Sequence, residues 1–250
     1  MSLKNKVVII TGASSGIGAA TAVAFSAQGA NVAMVGRNEA KLTKVATQCS
    51  KPLVLAADMA KDDDVKRIVE QTINKFGKID ILINNAGKTG RSKLLDNSID
   101  MIKAYDAIMN VNVRGLVYIT SLAAPYLAKT KGNIVNISST VAFFAPAEAG
   151  AINYYISKAA VHHFGACAAA KLAPHGIRVN TVSPGPVKTD LFENSGRNAN
   201  YETLAKLVSL GRVSEPEEIA DVILFLASDK AKGITGSDFL ADNGMLIKRG

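Results

Sequence analysis

Thr11-Gly12-Ala13-Ser14-Ser15-Gly16-Ile17-Gly18 decides how the rest of the chain is read. It follows Val7-Val8-Ile9-Ile10, a β-branched run suited to a strand, and leads into residues 16–28, which read as a helix. Glycines at such a junction let the backbone turn sharply and approach a pyrophosphate, which then rests on the N–H donors of the helix. The spacing is G-x-x-x-G-x-G rather than G-x-G-x-x-G. A glycine-rich turn without a ligand has the same composition. Its place between the first strand and the first helix is what favours dinucleotide binding.

Outward from this loop, strands are expected at 7–11, 31–35, 53–57, 81–83, 133–138, 178–182 and 237–241. Several are apolar without alternation, as strands covered on both faces are. Helices are expected at 16–28, 38–48, 62–76, about 98–128, 154–173 and 216–228. Gly29 and Gly77 sit just past helix ends, Pro174 stops the fifth helix, and Pro216 suits a first turn. This alternation predicts an α/β fold: a Rossmann-type, doubly wound, mainly parallel seven-stranded sheet with helices on both faces. No linker or repeat interrupts residues 1–250, so one domain is expected. The long strandless segment at 188–210 reads as a substrate lid.

Composition narrows the function classes. Of the 250 residues, 48% are hydrophobic and 20% charged, a globular balance that excludes disordered and fibrous classes. The formal net charge is +8, but the basic residues are scattered and no run exceeds Lys248-Arg249. A solvated surface is therefore the expectation, with no nucleic-acid partner. Cys49 and Cys167 can form neither a disulfide framework nor a metal cluster, and His162, His163 and His175 do not suit a shared zinc. Without a signal core or an 18-residue apolar run, a soluble cytoplasmic protein with no membrane span is expected.

The remaining motifs follow in order. Asn84-Asn85-Ala86-Gly87 closes the fourth strand, and Asn112-Val113-Arg114-Gly115 lies on the long helix. Ser138-Ser139 ends the fifth strand, Tyr154-x-x-x-Lys158 opens the next helix, and Pro184-Gly185 with Thr189 follows the sixth strand. Gly211-Arg212 and Glu215-Pro216-Glu217 come later. In this order, over essentially the whole chain, the pattern resembles the compact short-chain dehydrogenase/reductase family, in its carbonyl-reductase and 3-oxoacyl-reductase-like members. Tyr154 and Lys158 are four apart on a helix and share a face. A nearby ammonium, with an oxidised nicotinamide ring, is expected to lower the phenol pKa from about 10, so that Tyr154 serves as general acid or base. Tyr155, three residues from Lys158, is the rival that lacks the family spacing. The resemblance implies that Ser139 donates to the substrate oxygen and that Asn112 anchors a water feeding Lys158. A strand-end cap for either serine and a helix kink at Asn112 are the plainer readings.

The resemblance further implies that Gly12, Ser14, Ser15, Gly16, Ile17 and Gly18 hold the phosphates. Asp58 is expected to meet the adenine edge, Asn85 to back the ribose through Ala86 and Gly87, and Tyr154 and Lys158 to hold the nicotinamide ribose. Pro184, Gly185, Val187 and Thr189 bind the carboxamide end in the same reading. The second strand ends Val35-Gly36-Arg37 rather than in an acidic residue that would hydrogen-bond ribose hydroxyls. Arg37 offers a fork suited to a 2′-phosphate, so NADP(H) is the expected cofactor, with NAD(H) possible.

For the small-molecule carbonyl substrate, Val141-Ala142-Phe143-Phe144-Ala145-Pro146 and the apolar residues of the lid suit a lipophilic ketone such as a steroid or isoprenoid. Lys88, Arg91 and Lys93 suit an anionic 3-oxoacyl thioester. Oxidation of a secondary alcohol uses the same residues, and a non-catalytic NADP-binding sensor is the remote alternative. Residues 159–170 carry no Asp, Glu, Lys or Arg, so this helix is expected to pack on two sides. The resemblance implies a homotetramer or homodimer.

Overall fold

In the computed structural model, which describes residues 3–91, 98–145, 150–196 and 199–248, seven strands form one sheet. Lys93, Pro146 and Arg249 lie outside these residues. The strands are β1 (Val7–Thr11), β2 (Asn31–Gly36), β3 (Leu53–Ala56), β4 (Ile81–Asn84), β5 (Asn133–Ile137), β6 (Arg178–Pro184) and β7 (Asp238–Ala241). Their order is β3-β2-β1-β4-β5-β6-β7, and every pairing is parallel. The sheet is thus wholly parallel, where the sequence allowed an antiparallel edge.

The helices are α1 (Gly16–Ala27), α2 (Glu39–Ala46), α3 (Asp62–Phe76), α4 (Ser98–Met109), α5 (Gly115–Thr130), α6 (Ile152–Leu172), α7 (Tyr201–Lys206) and α8 (Pro216–Ala227). Successive side chains of β1 point to opposite faces, so its uninterrupted apolar run feeds two cores. Val8 and Ile10 pack with Phe25 of α1 and Ile223 of α8. Ile9 joins Ile68 of α3, Ile119 of α5 and Ala168 of α6 on the other face.

Three local features depart from the sequence reading. The long helix expected at 98–128 is broken by a π-helical turn, Asn110–Arg114, between α4 and α5. Just after it, a Cβ on Gly115 would lie 2.3 Å from the Met59 carbonyl oxygen, so the helix meets the β3–α3 connection closely there. The catalytic-side helix α6 begins at Ile152, before Tyr154 rather than at it. The lid holds a 3-10 turn (Glu193–Ser195) and α7, whose Asn200 cap accepts from Thr203 N–H at 3.0 Å. The run 99–130 is long and apolar enough to cross a membrane by length and composition. In the fold it packs on α3, α6 and β4 as core helices do.

The order reverses between β1 and β4, which opens a crevice at their carboxyl ends. Closer to the core, α6 approaches β6 so tightly that a Cβ on Gly165 would stand 2.3 Å from Thr181 Oγ1. Gly165→Ala should lower the Tm, by on the order of 5 °C, because one added methyl overpacks this contact. Gly233→Ala, which has open space around it, is the control and should leave the thermal transition nearly in place.

Candidate active site

The crevice is a cleft of about 460 Å³, a volume typical of cofactor and ligand sites. Its floor is made by two loops sewn together. Thr11 Oγ1 donates to Ile83 O at 3.2 Å and accepts from the N–H groups of Asn85 and Ala86, each at 3.0 Å. Asn85 Nδ2 returns to Thr11 O at 3.0 Å and Gly12 O at 3.2 Å. Gly12 stands in the left-handed region (φ 71°), and a Cβ on Gly18 would fall 2.2 Å from the Gly12 oxygen. Neither position admits a side chain.

Helix α1 therefore starts directly under this loop. Ser15 gives it no side-chain cap, and its first turn holds no acidic residue. The first N–H groups of a helix have no partner within it, and its positive end favours anions, so this opening fits the phosphates of a dinucleotide. Gly36 at the end of β2 is similarly confined: a Cβ there would meet Ser14 Cβ at 3.2 Å and Leu42 Cδ2 at 3.4 Å. Arg37 follows it, exposed at the cleft edge. Asp58 also lines the cleft, but one carboxylate oxygen already accepts Ala60 N–H at 3.0 Å. Its other oxygen is what remains for a ligand.

At the opposite end, β5 and α6 converge. Ser139 and Tyr154 both line the cleft, and the serine hydroxyl is the group that pulls the phenol's pKa down. That hydroxyl also lies 3.4 Å from Pro184 O and accepts Val141 N–H at 3.4 Å, so Ser139 caps a 3-10 turn as well as facing the cleft. Ser138 is structural, donating to Lys158 O at 2.8 Å. Lys158 Nζ donates to Ile137 O at 2.7 Å and stands 5.7 Å from the centre of the Tyr154 ring. Asn112, set in the π turn, is wholly engaged. Its Nδ2 donates to Lys88 O and Ser157 Oγ, both at 2.9 Å, and its Oδ1 accepts Lys88 N–H at 2.8 Å.

With the glycine cradle, Ser139, Tyr154 and Lys158 in one cleft, comparison with known proteins supplies the family. A family model described as enoyl-(acyl carrier protein) reductase matches residues 12–246. A 3-oxoacyl-(acyl-carrier-protein) reductase of Thermotoga maritima is 39% identical over 254 residues, covering 99% of this chain and all of the relative. The chain belongs to the short-chain dehydrogenase/reductase family. It is an oxidoreductase acting on CH–OH or C=O groups. Another member, meso-2,3-butanediol dehydrogenase of Serratia marcescens, is 36% identical over 252 residues, covering 100% of this chain and 98% of its own. Among solved structures, a 3-ketoacyl-(acyl-carrier-protein) reductase of Brucella melitensis complexed with NADH superposes with TM-score 0.88 at 32% identity. That match covers 98% of this chain and 99% of that one.

Of the catalytic and cofactor-binding residues read from the sequence, all line the cleft except Gly18 and Asn112, which support it from behind. Of the substrate-side candidates, Val141 and Lys88 line it, whereas Arg91, Phe143 and Phe144 do not, the two rings packing on His162 and Tyr155. Asn85 differs in detail, since its side chain holds the glycine loop. The phenol also differs. Burial pushes Tyr154 up to about 12, and the Ser139 hydroxyl is what opposes it. The ammonium of Lys158 does not lower it in this state, because burial pushes Lys158 itself down to about 8 and its Nζ is turned to the Ile137 carbonyl. The sequence reading missed Thr11, a strand-end hydroxyl whose position before Gly12 was a usable signal. It also missed Met245, which lines the cleft from a hundred residues away with no local signal at all.

Lys158 must carry its proton to favour a tyrosinate. Its ordinary pKa is lowered here, so the charge is present below about 8 and lost above it. We expect kcat/KM for carbonyl reduction to fall as pH rises through about 8, with Lys158→Met losing on the order of 100-fold and that limb of the profile. A flat wild-type profile from roughly pH 6.5 to 9.5 in steady-state assays would contradict this role.

Proposed function

We propose that the cleft reduces the 3-oxo group of an acyl thioester with NADPH. The reaction class is carried by one observation: Ser139, Tyr154 and Lys158 line the same cleft as the glycine cradle. When bound, a nicotinamide supplies or accepts the hydride. The protein manages the oxygen and its proton. Ser139 donates to the carbonyl oxygen, where negative charge develops, and Tyr154 protonates that oxygen to give the alcohol. Lys158 holds positive charge beside the phenolate so formed, while Asn112 fixes Lys88 and Ser157 around it. In the reverse direction the same groups remove the proton of a secondary alcohol, which suits the name of the butanediol relative.

Support for the thioester comes from two sides. Leu191, Phe192, Leu204, Leu207 and Met245 give the cleft an apolar wall for an acyl chain. Lys88 lines the mouth and Arg91 lies exposed near it, as a carrier-bound phosphate needs. The apolar wall serves a steroid or isoprenoid ketone equally, but the cations and the names of the relatives support the thioester. Arg37 supports NADP(H) over NAD(H), because its fork can take the 2′-phosphate and Gly36 puts no carboxylate at the end of β2 to compete with it.

Assembly belongs to the same reading. Val117 of α5 is 39% exposed. Ile156 of α6 is 42% exposed, and with Ala159, Ala166 and Cys167 it forms a largely apolar stripe that also carries His163. We expect a second copy of this chain to cover it, within a homotetramer or homodimer. Light scattering at micromolar concentration should give a multiple of 26.2 kDa, and a monomer would refute it.

NADPH oxidation followed by absorbance across a panel tests the substrate. The panel holds a 3-oxoacyl thioester, the matching 2-enoyl thioester, a steroid ketone and a small vicinal diketone. The first should lead, and Tyr154→Phe should lose roughly 10²- to 10⁴-fold. Arg37→Glu should reverse the preference for NADPH over NADH by at least about tenfold, one lost charge-assisted contact. Turnover of the steroid ketone alone overturns the thioester assignment.

A further inference from the structure

The carboxyl-terminal residues beyond β7 contribute more to the cleft than a sequence reading suggests. Residues 242–248 run alongside the segment 206–214 and are joined to it repeatedly. Leu210 N–H donates to Asn243 O at 3.0 Å, and Ser209 Oγ donates to Gly244 O at 2.8 Å. Asn243 Nδ2 donates to Arg212 O at 3.0 Å and Ser214 Oγ at 2.9 Å. At the far end, the ammonium of Lys248 bonds the carbonyl of Lys206, the last residue of α7, and that of Val208 at 3.2 Å. The Lys206 carbonyl closes α7, where a helix end leaves oxygens without intrahelical partners, and the Val208 carbonyl, which also accepts Gly211 N–H at 3.2 Å, lies just beyond it, so a cation is favoured there.

The tail is shaped for this contact before it meets α7. Asn243 (φ 52°) and Gly244 (φ 76°) are successive left-handed residues. A Cβ on Gly244 would stand 2.8 Å from Ser209 Cβ. The Asp242 carboxylate fixes the turn by accepting Gly244 N–H at 2.9 Å and Leu246 N–H at 3.0 Å. From the same turn Met245 reaches into the cleft, where its sulfur lies 3.4 Å from Thr140 Oγ1. Thr140 and Ser139 both approach the Pro184 carbonyl, at 3.3 and 3.4 Å. The tail thus touches the neighbour of the serine at one end and the helix carrying Leu204 at the other.

We infer that residues 242–248 brace α7 against the Ser139 side of the cleft, with Lys248 as a positioning residue that holds Leu204 and Leu207 at the substrate wall. Lys248 itself is exposed, does not line the cleft, bonds the two residues that flank Leu207, and takes no part in proton transfer. Its loss acts on substrate capture and leaves the chemical step alone. The kinetic arm rests on the thioester reading above; the exchange arm does not.

The test compares wild type, Lys248→Ala and Lys248→Arg, each saturated with NADPH. Lys248→Ala should raise the KM for the 3-oxoacyl thioester roughly three- to tenfold, the size of a lost charge-assisted hydrogen bond at a partly wet site, with kcat held within about twofold. Amide hydrogen exchange should quicken across 201–208 and stay unchanged in β1 and α1. Lys248→Arg, which keeps the donors, should restore both. Unchanged exchange across 201–208 overturns the brace, as does a fall in kcat with KM constant. Should no thioester be reduced at all, the substrate reading fails by itself, and the exchange comparison still decides the brace.

Discussion

Everything in this structure depends on an approach that leaves no space for a Cβ. The Gly12 carbonyl and Gly18 stand so close that one methyl would fall 2.2 Å from oxygen, and Asn85 fills the third side of the contact. That approach lets α1 begin directly beneath the end of β1. It also draws the loops after β1 and β4 into a single floor, through the three hydrogen bonds of the Thr11 hydroxyl. The crevice that follows from the reversal of strand order is general to doubly wound sheets. Its use as an anion seat depends on these particular small residues.

The fold was legible because its signals are local and repeat. β-Branched runs, glycine at helix ends and apolar helical faces identified all seven strands and, with α4 and α5 run together as one, every helix but α7, within a few residues. Three features escaped. The π turn at Asn110–Arg114 lies beside a close approach of Gly115 to the distant Met59, which periodicity cannot report. α7 is six residues long, too short for a helical pattern to be distinguished from a loop. The exclusively parallel pairing depends on where β7 lies, and its four residues are silent on direction.

The site was legible to a different degree. Ser139, Tyr154 and Lys158 are spaced so that a strand end and a helix start face one another, and the structure places them together despite the long connection between 139 and 154. What spacing cannot convey is dielectric environment. A phenol and an ammonium four residues apart in water would each hold their ordinary proton affinity. Enclosed in this cleft both move toward their neutral forms, the tyrosine to about 12 and the lysine to about 8. The same desolvation that makes the pair costly to charge strengthens any charge later placed beside it. Met245 and the tail were illegible for a simpler reason, since their partners lie far away in the chain.

The π turn carries one more implication. A helix advances about 100° per residue, so the extra residue accommodated at 110–114 sets the rotational phase of α5 relative to α4. On one side of it, α4 packs against α6; on the other, Leu116, Ile119, Ala123 and Leu127 are directed inward toward α3 and β4. Removing a single residue from this turn would yield a smoother helix and a misdirected one, swinging that aliphatic edge about a quarter-circle out of the interior. In this molecule an irregular backbone is the device that keeps two straight cylinders aimed at different neighbours.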